Sequence, residues 1–276
     1  MLSQPTVQVN PDLCTHCGAC LSGCFAGLLE FSELKTPRYI ENGAERCFRC
    51  QHCMAICPTG ALSWSNKDPK QSAAIGSIPI PEEMVNLLRQ RRSIRKYARK
   101  NVAPEILNQL TAAMAFVPTG CNDHRVFLSI SADLSTTDSV RQAAIDSVLD
   151  QIVENTLPVK IAHFAHLKQA LEKGIDVFFR DSPHFIAISV PPESKDAHID
   201  PYIAAAQFEL LANSFGLGTC WGGMATNLFL NNDDLLSKLA IPPTHVLKIV
   251  LLFGYPTERF FRLPQPEPCP TVFVQG

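Results

Sequence analysis

Eight of the eleven cysteines lie between Cys14 and Cys57, and this crowding is the strongest chemical signal in the chain. Thiols placed so densely form disulfides or, as thiolates, bind metal ions and iron–sulfur clusters. A disulfide framework needs an oxidising compartment. The first residues, Met-Leu-Ser-Gln-Pro-Thr, lack the charged and apolar regions of a secretory signal. The spacing therefore favours metal or cluster ligation, and we expect a cytoplasmic protein.

The cysteines form two copies of the pattern Cys-x2-Cys-x2-Cys-x3-Cys, offset by 33 residues. Together with Pro58 after Cys57, this run resembles that of bacterial two-[4Fe-4S] ferredoxins over about residues 7 to 64. In that pattern three close cysteines bind one cluster and the fourth binds the other. The resemblance implies two ligand sets: Cys14, Cys17, Cys20 and Cys57 for one cluster, and Cys24, Cys47, Cys50 and Cys53 for the other.

Structural zinc is the alternative for these cysteines. It is tetrahedral and is commonly bound by two separated Cys-x2-Cys pairs, whereas tight triplets suit a cubane better. Phe25 departs from the ferredoxin pattern, because proline often follows the last cysteine of the first half. His16 and His52 lie inside the motifs, but we interpret them as polar loop residues since the cysteines already complete both ligand sets.

A second candidate site is the basic run Arg91-Arg92-Ser93-Ile94-Arg95. Taken alone, such a run indicates a solvated face. Other segments accompany it along the chain: Pro118-Thr119-Gly120-Cys121-Asn122, Ser182-Pro183, the stretch from Gly216 to Gly223, and Gly254-Tyr255-Pro256. In this order and at these separations, the set resembles the FMN-dependent nitroreductase family over roughly residues 82 to 265. The family fold is an α+β homodimer.

The resemblance implies an FMN site built from several segments. Arg91, Arg92, Ser93 and Arg95 would contact the phosphate, the ribityl chain and the pyrimidine edge, for which guanidinium groups are well suited. Pro118, Thr119, Gly120 and Asn122 would reach the flavin from the other subunit. Backbone N–H groups of Trp221, Gly222 and Gly223 would lie near flavin N5, where missing side chains permit close approach. Arg259 or Arg262 would complete the phosphate site. Gly120 and Asp123-His124-Arg125 depart from the family pattern.

The elements that must position these residues divide into two domains. We predict a ferredoxin domain at 1–65, a linker at 66–81 and a nitroreductase-like domain at 82–276, of fold class α+β. Helices are predicted at Glu82–Arg92, Pro104–Phe116 and Ile199–Phe215, the last with Gly216 and Gly218 as its stop signal. Strands are predicted at Arg125–Ile130, His184–Val190 and Val246–Phe253. The prolines between Pro264 and Pro270 exclude regular helix or central strand.

Composition excludes some partners and the resemblance suggests others. A net charge of -2 and a pI near 6.4 give no reason to expect nucleic acid or an anionic membrane, and no apolar run is long enough to span a bilayer. We expect electrons to pass through two [4Fe-4S] clusters to FMN and on to a nitroaromatic or quinone-like acceptor. Reduced ferredoxin or NAD(P)H would be the donor. Hydride transfer depends on position more than on an acid or base, so no catalytic proton donor is nominated. The alternatives are an electron carrier or redox sensor acting on a protein partner, and a zinc-bearing scaffold.

Overall fold

A computed structural model describes residues 4–275 and divides the chain into two compact units. The first unit ends at Ile78 and includes Cys121–Asp123, and the second comprises Pro79–Gly120 and the residues from His124 onward. The division after Ile78 falls within the segment predicted as a linker. Part of that segment is ordered locally, because Asp68 caps a short 3-10 helix at Pro69–Gln71.

The first unit is built twice from the same small set of elements. These are β1 (Val7–Val9), α1 (Ala19–Ser22), β2 (Leu29–Phe31), β3 (Pro37–Tyr39), α2 (His52–Ala55) and β4 (Leu62–Trp64). The pairs α1/α2 and β2/β4 are related by the same 33-residue offset as the cysteines. β1 pairs with β4 and β2 pairs with β3, both antiparallel. The sequence repeat is therefore also a structural repeat.

The loops that carry the cysteine triplets turn in the same way in both halves. His16 and Arg49 have positive φ values of 54° and 58°, and Gly18 and Gln51 have values of 74° and 58°. Each pair is again 33 residues apart. A left-handed backbone is costly for residues other than glycine. Its appearance at equivalent positions of both halves indicates that this loop conformation is required for function.

A four-stranded antiparallel sheet forms the centre of the second unit. Its strands are β5 (Phe127–Ile130), β6 (His184–Val190), β7 (Gly218–Trp221) and β8 (Val246–Gly254), in the order β5-β6-β8-β7. All of β6 and most of β8 are buried. Side chains alternate between two apolar cores: Phe185 faces one and Ile186 the other. Full burial of a side chain of this size contributes about 1.5–3 kcal/mol.

Helices cover both faces of this sheet. They are α3 (Pro81–Gln90), α4 (Pro104–Ala113), α5 (Leu134–Glu154), α6 (Lys168–Glu172), α7 (Asp200–Ser214), α8 (Gly223–Leu230) and α9 (Asp233–Ser237). Residues of α4 and α7 join one core, and residues of α5 and α8 join the other. The unit is therefore a helix–sheet–helix sandwich, which agrees with the predicted α+β class.

Several predicted boundaries need correction. The helix predicted to reach Phe116 ends at Ala113 and continues as a 3-10 turn, and β5 begins at Phe127 rather than Arg125. Gly216, with φ of 74°, follows α7 as a stop signal, but Gly218 belongs to β7. As predicted, Pro264–Pro270 adopts no regular structure. Within the described residues, no helix combines the length and the apolar character that a membrane span requires.

Candidate functional site

The eight clustered cysteines line two separate cavities of the first unit, four to each. Cys14, Cys17, Cys20 and Cys57 surround one, together with Val9, Phe31 and Leu62. Cys24, Cys47, Cys50 and Cys53 surround the other, together with Leu29, Tyr39 and Trp64. These are the two sets that the ferredoxin resemblance implies, with Cys24 and Cys57 each crossing to the other half. We call them the first centre and the second centre.

Hydrogen-bond donors point at the cysteine sulfurs in both centres. The backbone N–H of Ala61 lies 3.3 Å from Cys57 Sγ, and that of Leu28, its repeat equivalent, lies 3.4 Å from Cys24 Sγ. Cys47 Sγ accepts from the Arg49 backbone at 3.4 Å and from the Tyr39 hydroxyl at 3.3 Å. Such donors suit sulfurs that carry negative charge, as the ligands of an iron–sulfur cluster do.

The thiols within a centre differ in acidity. Burial raises the pKa of Cys53 to about 11 and also raises the pKa of Cys20. Burial acts in the same direction on Cys57, but the Thr59 hydroxyl and nearby backbone N–H groups outweigh it and lower the pKa of that thiol. Binding as thiolates would therefore release protons from the buried members. Among the residues that the structure describes, no three His, Cys, Asp or Glu side chains are spaced to bind a single metal ion.

The arginines of the basic segment line one large cavity of about 1100 Å³ in the second unit. Its lining includes the whole predicted set from this segment, Arg91, Arg92, Ser93 and Arg95. The other lining residues are Leu88, Arg89, Glu258, Phe260, Leu263, Pro264 and Pro266. The guanidinium of Arg92 lies 5.6 Å from the centre of the Phe260 ring. The only acidic side chain among these lining residues, Glu258, pairs with Lys96 at 3.0 Å. A cationic cavity with apolar walls suits a ligand that carries both a phosphate and a flat ring system.

The basic segment is held against the edge of the sheet. The backbone N–H of Ile94 donates to the Thr219 carbonyl of β7 at 2.8 Å, and the Tyr97 hydroxyl donates to the Ile94 carbonyl at 2.6 Å. A Cβ at Gly218 would lie 2.5 Å from Ile94 Cγ1, so this close approach requires glycine. The sheet therefore fixes the position of the segment from which the arginines project.

Sequence reasoning missed Glu209, which connects the arginines to the sheet. Its buried carboxylate on α7 accepts from Arg91 at 3.3 Å, from the Thr219 hydroxyl at 2.9 Å and from Trp221 Nε1 at 3.1 Å. The one signal in the sequence was an isolated acidic residue in the apolar stretch Ile199–Phe215. A buried charge with three donors around it keeps Arg91 and Trp221 in fixed positions.

The remaining predicted flavin residues lie outside the lining of the arginine cavity. Pro118, Thr119, Gly120 and Asn122 precede β5, where the Gly120 N–H donates to Asp200 at 3.0 Å. A Cβ on Gly120 would lie 1.8 Å from Asp196 Oδ2, which explains why a larger residue does not occupy this position. Asn122, grouped with the first unit, donates to the Phe48 carbonyl at 3.0 Å.

The glycines after Trp221 and the late arginines can also be placed. The N–H of Gly222 donates to the Val250 carbonyl at 2.7 Å, whereas Gly223 begins α8, where backbone N–H groups have no acceptor within the helix. Arg259 lies 5.3 Å from the ring centre of Phe261, and neither Arg259 nor Arg262 lines the arginine cavity. Gly223 therefore has a backbone N–H that no acceptor within its helix can satisfy.

Comparison with known proteins identifies relatives for both units. The nitroreductase family matches residues 88–255, and a 4Fe-4S dicluster domain matches residues 6–61. A ferredoxin from Pyrobaculum islandicum is 32% identical over 83 residues, covering 28% of this chain and 75% of the relative. An uncharacterized ferredoxin from Methanocaldococcus jannaschii is 29% identical over 65 residues, covering 24% of this chain and 84% of the relative.

Two solved structures resemble the fold of the second unit. A nitroreductase with bound FMN from Bacteroides fragilis has a TM-score of 0.57 at 18% identity, covering 70% of this chain and 99% of its own. A nitroreductase with bound FMN from Desulfitobacterium hafniense has a TM-score of 0.56 at 15% identity, covering 71% and 100%. At this level of identity the likeness concerns the fold alone.

Proposed function

Since the chain belongs to the nitroreductase family and also carries a 4Fe-4S dicluster domain, we propose that it is an iron–sulfur flavoprotein oxidoreductase. In this proposal it passes electrons through two [4Fe-4S] clusters and FMN to a nitroaromatic or quinone-like acceptor. When bound, the clusters exchange electrons one at a time, and FMN can collect two and deliver them as a hydride. The observation that carries the proposal is the arginine-lined cavity beside the family's sheet.

The first unit would hold the clusters with its eight cysteines. The first centre would use Cys14, Cys17, Cys20 and Cys57, and the second Cys24, Cys47, Cys50 and Cys53. Two features support this assignment: four sulfurs surround each cavity, and backbone donors approach one crossing cysteine in each centre, Cys57 and Cys24. These donors offset negative charge on sulfur and hold each loop in the shape that the ligands need.

The second unit would hold FMN through its basic segment. Arg91, Arg92 and Arg95 offer guanidinium groups to the phosphate and to the flavin carbonyls, and Ser93 offers a hydroxyl. Glu209 orients Arg91 from behind, while Phe260 and Leu263 supply apolar surface that excludes water. Trp221, Gly222 and Gly223 remain the proposed neighbours of flavin N5. Either Arg259 or Arg262 would add to the phosphate contacts.

The proposed assembly is a homodimer with FMN at the subunit interface. Pro118, Thr119, Gly120 and Asn122 would then contact the flavin bound to the other subunit. Their location outside the arginine cavity of their own chain is consistent with that arrangement. The electron donor would be reduced ferredoxin or NAD(P)H; one structural relative, an FMN-dependent nitroreductase from Mycobacterium smegmatis, is described in complex with NADPH.

Anaerobic purification followed by an acceptor screen tests the proposal. We expect about eight irons and one FMN per chain, and turnover of a nitroaromatic or a quinone with NADH, NADPH or reduced ferredoxin as the only electron source. The Arg95→Ala variant should lose FMN and keep its iron. Zinc in place of iron would contradict the cluster assignment. Reduction of the bound flavin without turnover of any small acceptor would favour an electron carrier that serves a protein partner.

A further inference from the structure

The two centres are related by the internal repeat, but the strand residues that surround them differ. Leu29 on β2 pairs with Tyr39, and Leu62 on β4, its equivalent 33 residues later, pairs with Val9. Tyr39 lines the second centre and Val9 lines the first. A residue with a hydroxyl in one half therefore corresponds to a purely apolar residue in the other.

The Tyr39 hydroxyl is held in place to donate to sulfur. It lies 3.3 Å from Cys47 Sγ, and Trp64 Nε1 donates to its oxygen at 3.2 Å. Because the indole N–H can only donate, the phenol must direct its own proton elsewhere, and the sulfur is its acceptor. The repeat equivalent of Trp64 is Phe31, which lines the first centre and carries no donor.

The first centre has a different side-chain donor. The Thr59 hydroxyl lies 3.7 Å from Cys57 Sγ, and the equivalent residue at the second centre is Ala26. His16 Nδ1 lies 3.8 Å from Cys14 Sγ but only 2.8 Å from the Lys35 carbonyl, so its ring contact is with that oxygen. The backbone donors to Cys57 and Cys24 are equivalent and do not distinguish the centres.

We infer that Tyr39 sets the reduction potential of the second centre. Thr59 sets the reduction potential of the first centre more weakly, so the two potentials are adjusted independently. The inference rests on the proposed function, because it needs a cluster at each centre. Reduction adds one electron to a centre from a one-electron reductant, and no bond forms or breaks. A hydrogen bond to a ligand sulfur stabilises the more negative state and therefore raises the potential. Tyr39 makes the shorter contact and is half-buried, whereas Thr59 is exposed.

Redox titration of the full chain, followed by electron paramagnetic resonance, tests the inference. Dithionite supplies electrons through viologen mediators, and the midpoint potential of each centre is read from its signal. We expect Tyr39→Phe, which keeps the ring, to lower one midpoint by up to about 59 mV, a tenfold change in a one-electron equilibrium. Thr59→Val should lower the other midpoint by less. Trp64→Phe should lower the same midpoint as Tyr39→Phe, because the phenol loses the contact that orients it.

The outcomes separate this inference from the proposed function. If the unaltered protein contains no iron, the proposed function is wrong. If the clusters are present and Tyr39→Phe moves neither midpoint, or Tyr39→Phe and Thr59→Val move the same one, the inference is wrong. If Tyr39→Phe fails to retain iron, the other two variants test the inference. Independent adjustment is supported if Trp64→Phe and Thr59→Val shift different midpoint potentials, and any other result contradicts it.

Discussion

At the scale of single residues, Glu209 gives Arg91 a structural role in addition to any role in binding. Only 8% of the Glu209 side chain is exposed, and its carboxylate is surrounded by Arg91, Thr219 and Trp221. A buried charge that loses one partner keeps its desolvation cost without compensation. Arg95 has no such acidic partner among its described contacts; its guanidinium contacts the Ser93 carbonyl at 3.5 Å. The two arginines should therefore behave differently when each is removed.

We predict that Arg91→Ala lowers the free energy of unfolding of the second unit by about 1–3 kcal/mol, while Arg95→Ala changes it by about 0.5 kcal/mol or less. Both variants should lose FMN and keep iron. Urea denaturation of the FMN-free proteins, followed by tryptophan fluorescence, measures the difference. The double variant Arg91→Ala/Glu209→Gln is the control: it removes the unpaired charge but keeps an acceptor for the Thr219 and Trp221 donors, so it should recover stability without recovering FMN. Equal destabilisation by the two single variants would show that the ion pair contributes nothing.

At the scale of elements, the long apolar strands could be predicted from composition, but two elements of the second unit, β7 and α5, could not. β6 and β8 are almost continuously apolar, so their burial follows from composition. β7 is only four residues long and contains Gly218, and α5 mixes apolar and polar residues along its length. No prediction was made for either element, because tertiary contacts rather than local pattern hold them in place.

The candidate sites divide in a similar way. Both cysteine sets could be predicted because the spacing resembles the two-cluster ferredoxin pattern, which assigns three close cysteines and one distant cysteine to each cluster, and the basic segment because its residues are consecutive. Glu209 and Tyr39 could not, since their roles depend on contacts that only the fold creates: Glu209 contacts Arg91, 118 residues away, and Tyr39 contacts Trp64 on β4. Gly218 belongs with them, because its need for a missing side chain appears only when Ile94 is seen beside it.

We predict that Gly218→Ala destabilises the second unit by about 1–3 kcal/mol, the usual cost of overpacking. The added methyl would lie 2.5 Å from Ile94 Cγ1 and would push the basic segment away from β7. FMN affinity should fall as well, because the arginines follow Ile94. Thermal unfolding and flavin fluorescence quenching measure the two effects. Gly76→Ala is the matched control, since an added Cβ there meets nothing within 4 Å; similar losses in both variants would contradict the packing argument.

At the scale of the whole molecule, apolar side chains on one face of α3 are only partly covered by the rest of the described chain. Met84, Val85 and Leu88 share one face and are 38%, 41% and 54% exposed. Apolar side chains of the C-terminal segment, such as Phe273, are also exposed. Exposed apolar side chains that share one helix face suit a protein interface, and the proposed homodimer would provide one.

We predict that Met84→Glu combined with Val85→Glu converts the proposed dimer to a monomer and weakens FMN binding, because charges on this face would have to be buried without partners. Sedimentation velocity gives the mass, and flavin release gives the second readout. Val153→Glu is the control: Val153 is 72% exposed on a different helix, α5, and the change should leave the dimer intact. A dimer that survives the double substitution would place the interface elsewhere.

The two units should also differ in how much they depend on iron. The apolar cluster of the first unit contains only five buried residues among those described, namely Cys20, Leu29, Met54, Leu62 and Trp64, and its partly buried neighbours include four more cysteines. Domains with so small a core rely on metals or disulfides for stability. The second unit has two larger cores with no predicted metal ligand in either.

We therefore predict that oxidising the clusters and chelating the iron unfolds the first unit and leaves the second folded. Limited proteolysis with mass spectrometry should then find new cleavage sites before Ile78 and a protected fragment from the second unit. The same treatment in the absence of oxidant and chelator is the control, and it should leave both units protected. A first unit that stays resistant after its iron is removed would mean that its few apolar side chains suffice, and that the cysteines are needed for electron transfer but not for folding.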